Sequence, residues 1–109
     1  MTKIANYEIE NRISQLQDFV NYNSSIIATT QILPDEKIYT IIHWNTLILR
    51  YSITSDTIYQ LDTTYHSQTT STLVGRIVRS LPNSAVMRHF FSLDSKPTKR
   101  KLARMLRLS

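Results

Sequence analysis

The sequence predicts one α+β domain over residues 1–109: an N-terminal helix, a four-stranded antiparallel sheet and three short C-terminal helices. Three observations predict it. Apolar residues recur at helical spacing over residues 8–20, four short runs rich in Ile, Thr and Tyr fill residues 25–62, and helical spacing returns over residues 72–109. A chain of 109 residues with 41% hydrophobic content can bury a single core.

Ile9, Ile13, Leu16 and Val20 stand four, three and four residues apart, with Phe19 beside them, which predicts an amphipathic helix over residues 8–20. Asn21, Tyr22, Asn23 and Ser24 end it with poor helix formers. Residues 25–33, 37–44, 46–52 and 57–62 suit a pleated surface. The connections between them are short: Pro34-Asp35-Glu36, Trp44-Asn45 and Thr54-Ser55-Asp56. Parallel neighbours need long crossovers, so the four runs are expected to pair as an antiparallel meander. In the third run Leu47, Leu49 and Tyr51 should share one face.

After Thr69-Thr70-Ser71, the residues Leu73, Val74, Ile77, Val78 and Leu81 form an apolar stripe opposite Arg76 and Arg79. Pro82 stops that helix, because the residue before a proline avoids the α region. Asn83 or Ser84 can cap a second helix running through Leu93, and Ser95-Lys96-Pro97-Thr98 signals the start of a third, continuing to Leu108.

The net charge of +5 conceals a division. Residues 1–75 carry four basic against seven acidic side chains, a net of −3, whereas residues 76–109 carry nine basic against Asp94 alone, a net of +8. Such asymmetry bears on partners rather than on fold. It makes Arg76 and Arg79, with Lys96, Lys99, Arg100, Lys101, Arg104 and Arg107, the candidate contacts to nucleic acid or to an acidic protein or ribonucleoprotein surface. Arg100, Arg104 and Arg107 fall within one helical stripe opposite Leu102, Met105 and Leu106. The polar segment Tyr65–Ser71 is the other concentration of interest. Thr69, Thr70 or Ser71 is expected to cap the following helix, and Ser67, Thr69, Thr70 and Ser71 form a candidate phosphate-binding turn.

Catalytic and cofactor chemistry find little support. The single glycine speaks against glycine-rich phosphate loops and dinucleotide fingerprints, where the backbone must approach phosphate closely. Without cysteine there are no disulfides, thiolate metal sites or cysteine nucleophiles. His43, His66 and His89 are scattered over three segments and do not make a zinc set. The acidic residues are too dispersed for a carboxylate-metal nuclease centre, and no serine stands in a nucleophile elbow. No enzyme activity, metal or cofactor is expected. The first residues lack the apolar core of a signal peptide, and no run is long enough for a membrane span. A cytoplasmic protein without a membrane partner is therefore expected.

Tyr39, the run His43-Trp44-Asn45-Thr46-Leu47-Ile48 and the element Ser67-Gln68-Thr69-Thr70-Ser71 resemble a family of small uncharacterised proteins of bacteriophages, plasmids and bacterial chromosomes. The resemblance covers residues 39–81 and implies an origin in mobile elements and their hosts. Two functions follow as expectations. One is a non-enzymatic nucleic-acid-binding accessory or regulatory protein of a mobile element. The other is a phage-type inhibitor of a host defence system, resembling anti-CRISPR proteins in acting on a protein or ribonucleoprotein complex. The choice between DNA and RNA and the oligomeric state stay open at this level.

Overall fold

The computed structural model describes residues 3–63 and 68–91. The chain enters as strand β1 (Lys3–Ile4), passes a 3-10 turn at Asn6–Glu8, and forms helix α1 (Ile9–Ser14). It then lays down β2 (Phe19–Asn21), β3 (Ile26–Ile32), β4 (Lys37–His43), β5 (Thr46–Ser52) and β6 (Thr57–Leu61). Helices α2 (Gln68–Ser80) and α3 (Asn83–Phe91) follow.

The α+β class and the N-terminal helix are as the sequence predicts, but the four-stranded antiparallel sheet is not. The sheet has six strands in the order β1-β2-β3-β4-β5-β6 and is mixed, because β1 pairs parallel to β2. The four predicted runs are β3 to β6, each antiparallel to its neighbour. The extra pair comes from the segment read as one long helix. α1 stops at Ser14, and Phe19 and Val20 leave it to enter β2. The short helix serves as the crossover that a parallel pair requires.

What stops α1 is a C-terminal cap built without glycine. The Leu16 amide donates to the Ile13 carbonyl at 2.9 Å and the Gln17 amide to the Arg12 carbonyl at 2.9 Å, with Leu16 at φ 54°. That is a Schellman arrangement with leucine in the left-handed position usually given to glycine. The Tyr39 hydroxyl then donates to the Gln17 carbonyl at 2.6 Å and fixes the turn to the sheet.

The three helices share one core with the sheet. Ile9 and Ile13 of α1 join the predicted α2 stripe and Ala85 and Val86 of α3 against Ile26, Ala28, Tyr39, Ile41, Leu49 and Tyr51. The register slips between Ile41 and Ile42, so Ile48 is inserted opposite the β4 ladder. Ile48 and Leu49 are both buried, while Leu47 pairs with Ile42 outside the core. The bulge thus displaces Leu47 from the face it was expected to share with Leu49.

Only two described helices follow the sheet, not three. The third C-terminal helix expected from the sequence lies outside the described residues. In α3, Ala85 and Val86 are buried, while Met87 is exposed.

Candidate functional site

Arg76 and Arg79 stand one turn apart on α2 and converge on Glu10 of α1. The Glu10 Oε1 lies 3.0 Å from Arg79 Nη2 and 3.4 Å from Arg76 Nε. The Arg79 hydrogen bond, helped by the charges of both arginines, holds the Glu10 carboxyl below its ordinary range against the opposing effect of burial. Arg76 also donates through Nη2 to the Asn6 carbonyl. Two cations thus share one carboxylate, which leaves a local excess of positive charge. Arg79 keeps half its side-chain surface exposed and Arg76 about a fifth, at 50% and 21%.

The remaining predicted basic residues, Lys96, Lys99, Arg100, Lys101, Arg104 and Arg107, lie outside the described residues, as does Ser67 of the polar turn. The rest of that turn falls inside α2 rather than ahead of it. Thr70 and Ser71 are buried, and Thr70 Oγ1 lies 3.0 Å from His43 Nδ1. Thr69 remains exposed. Of the residues expected to receive phosphate, Thr69 is the one left at a surface among those described.

Thr69 opens onto a cleft of about 450 Å³ that residue spacing alone gave no means of finding. One wall is the first turns of α2, with Gln68, Thr69, Thr72 and Arg76. The other is the turn from β2 to β3, with Asn21, Tyr22, Asn23 and Ser25, and Asn6 completes the rim. The turn is held by its own side chains. Asn21 Nδ2 donates to Ser25 Oγ at 2.9 Å, the Ile26 amide donates to Asn21 Oδ1 at 2.9 Å, and the Ser25 amide donates to Asn23 Oδ1 at 3.1 Å. Ser24 takes φ 60° to close it. The run Asn21–Ser24 was visible in sequence as a helix ending. Its role as a wall depends on contact with residues nearly fifty positions away.

A second cationic site lies elsewhere. Arg88 of α3 reaches the β5–β6 turn, with Nη2 4.0 Å from Asp56 Oδ2 and Nη1 donating to the Asp56 carbonyl. Asp56 also accepts from the Tyr51 and Ser84 hydroxyls, which hold its carboxyl below the ordinary range. On the sheet, the Arg50 guanidinium sits 5.7 Å above the Tyr59 ring.

Among the described residues no three His, Asp or Glu side chains come together as a metal set. His43 is buried, with its Nε2 lacking a hydrogen-bond partner in the structure, and burial lowers its pKa. No described helix is long and apolar enough to cross a membrane. The chain matches no protein-family model, no curated protein and no solved structure.

Proposed function

We propose that the protein is a non-enzymatic, cytoplasmic nucleic-acid-binding accessory or regulatory protein of a mobile element. The observation that carries this reading is the charge division, with a net of +8 over residues 76–109 against −3 over the rest. Lysines and arginines concentrated on one part of a chain neutralise phosphates and release condensed counterions. The paired arginines support the reading from the folded side, because among the described residues Glu10 is the one carboxylate that pairs with Arg76 and Arg79. A strand lying along α2 would meet the half-exposed Arg79 beside Arg76, two cations that share one carboxylate.

The test is fluorescence anisotropy with labelled single- and double-stranded DNA and RNA. Binding is expected at low salt and should weaken by about two orders of magnitude between about 50 and 200 mM salt. Arg100→Ala combined with Arg104→Ala should flatten that salt dependence. Absence of binding at low salt overturns the proposal, as does affinity unchanged in the double variant. Capture of the same host protein before and after nuclease treatment, without any nucleic-acid binding, would favour the inhibitor reading instead.

A further inference from the structure

We propose that the cleft between the β2–β3 turn and the start of α2 is a nucleotide-binding site, with Arg76 taking the phosphate and amide side chains taking the edge of the base. Its source rests on the nucleic-acid reading; its chemistry does not.

Three features specify the ligand. The first is charge. Among the described residues that line the cleft, Arg76 is the one charged side chain, and neither Asp nor Glu is among them. Nε and Nη2 of Arg76 are engaged by Glu10 and the Asn6 carbonyl, which fixes the guanidinium plane. Nη1 has no described partner. A guanidinium held in place with a spare donor suits a phosphate oxygen better than a neutral hydroxyl.

The second feature is the remaining lining. Asn23 spends its carbonyl oxygen on the Ser25 amide, so its NH₂ is available. Gln68 offers a second amide from the opposite wall. Asn23 thus offers a donor, and the Gln68 amide a donor and an acceptor side by side, as base edges do. Tyr22, 61% exposed, stands at the rim as a surface on which a base can stack. The third feature is size and preorganisation. A volume of about 450 Å³ lies within the range of small-molecule sites. The wall on the β2–β3 side is already locked by the buried Asn21, so little ordering is needed on binding.

A nucleotide unit can come from a single strand or from a free mononucleotide, and the experiment separates the two. Adenosine monophosphate and a single strand of about ten nucleotides are titrated against the full chain, by NMR and anisotropy respectively. Two variants are compared with the parent: Thr72→Trp, which fills the cleft from an exposed helix position, and Asn23→Asp, which keeps the acceptor for the Ser25 amide but sets a negative charge beside the phosphate. Melting curves for both should overlay the parent's, and if one variant loses its fold the other decides.

Either ligand is expected to bind about tenfold more weakly to the variants, with amide shifts in the parent centred on residues 22–25 and 69–76. If the loss affects the strand, the strand is the source. If only the mononucleotide binds and is lost, the site stands while the nucleic-acid reading falls. A strand bound equally well by parent and variants, with no mononucleotide binding, overturns the site and leaves that reading intact. If neither ligand binds, the site is overturned.

Discussion

Trp44 occupies the first central position of the two-residue loop joining β4 to β5, and both loop residues have positive φ, 48° for Trp44 and 65° for Asn45. Two positive φ values in a two-residue hairpin loop define a type I′ turn, whose twist matches that of the flanking strands. Asn45 suits the left-handed region, because its short polar side chain bonds locally, but tryptophan gains nothing there. Nor does burial justify it, since Trp44 is 65% exposed and meets the His43 ring only at 6.1 Å in a tilted arrangement. Trp44→Asn should therefore stabilise the protein by about 0.5–1 kcal/mol. Urea unfolding followed by circular dichroism would show a higher midpoint with an unchanged slope. A lower midpoint would mean that the indole contributes packing that its exposure conceals. The loop itself was visible in sequence as a break between two Ile-rich runs. The backbone conformation that Trp44 must adopt was not, because Trp-Asn lacks the glycine that usually marks such a turn.

Elements were legible where many residues agreed. Ile, Thr and Tyr mark β3 to β6 over five to seven residues each, and the apolar stripe of α2 is buried as its spacing required. The failures lie where an element is short. β1 has two residues and β2 three, too few for alternation to register. Phe19 and Val20 also continue the helical spacing of Ile13 and Leu16, and with Leu16 in the cap position the boundary carries no glycine signal. The candidate site shows the same division. Arg76 and Arg79 could be placed on the polar side of a helix from spacing, but their shared partner Glu10 is more than sixty residues distant. The attachment of α3 was equally hidden. Besides the core packing of Ala85 and Val86, it uses Asp56, which accepts from Ser84 and Tyr51 and faces Arg88 across the β5–β6 turn. Asp56→Ala removes these acceptors and places alanine at φ 53°. Loss of about 2–3 kcal/mol is expected. Asp56→Asn should lose about 1 kcal/mol, since asparagine tolerates the left-handed region and retains an acceptor. Hydrogen exchange would localise the defect, with faster exchange in α3 than in β3 and β4. Uniform acceleration across the sheet would show that Asp56 supports the whole domain rather than the α3 attachment.

At the scale of the molecule, four titratable groups make the fold sensitive in one direction. Burial lowers the pKa of His43, and burial, opposed by a hydrogen bond to the Ile58 backbone, lowers that of His89. The hydrogen bond from Arg79 lowers Glu10, and those from Ser84 and Tyr51 lower Asp56. A group whose pKa is depressed on folding binds protons more readily in the unfolded chain. Its contribution is complete above the unfolded value and is lost as pH falls through the folded one. The histidines act first, below their unfolded value of about 6.5, and the carboxylates follow below about 4.5. The net charge of +5 at pH 7 grows as these groups protonate, so self-repulsion adds in the same sense. The melting temperature should therefore fall between about pH 7.5 and 5.5, before any carboxylate contributes appreciably. Combining His43→Gln with His89→Gln separates the histidine effect from general repulsion. The double variant should be less stable at pH 7.5, having lost the bond to Thr70, yet its melting temperature should change much less over the interval. An equally steep fall in the variant would assign acid sensitivity to accumulated charge. A parent curve that rises as pH falls would contradict the depressed histidine pKa values themselves, because protonation would then stabilise the packing of His43 beneath α2.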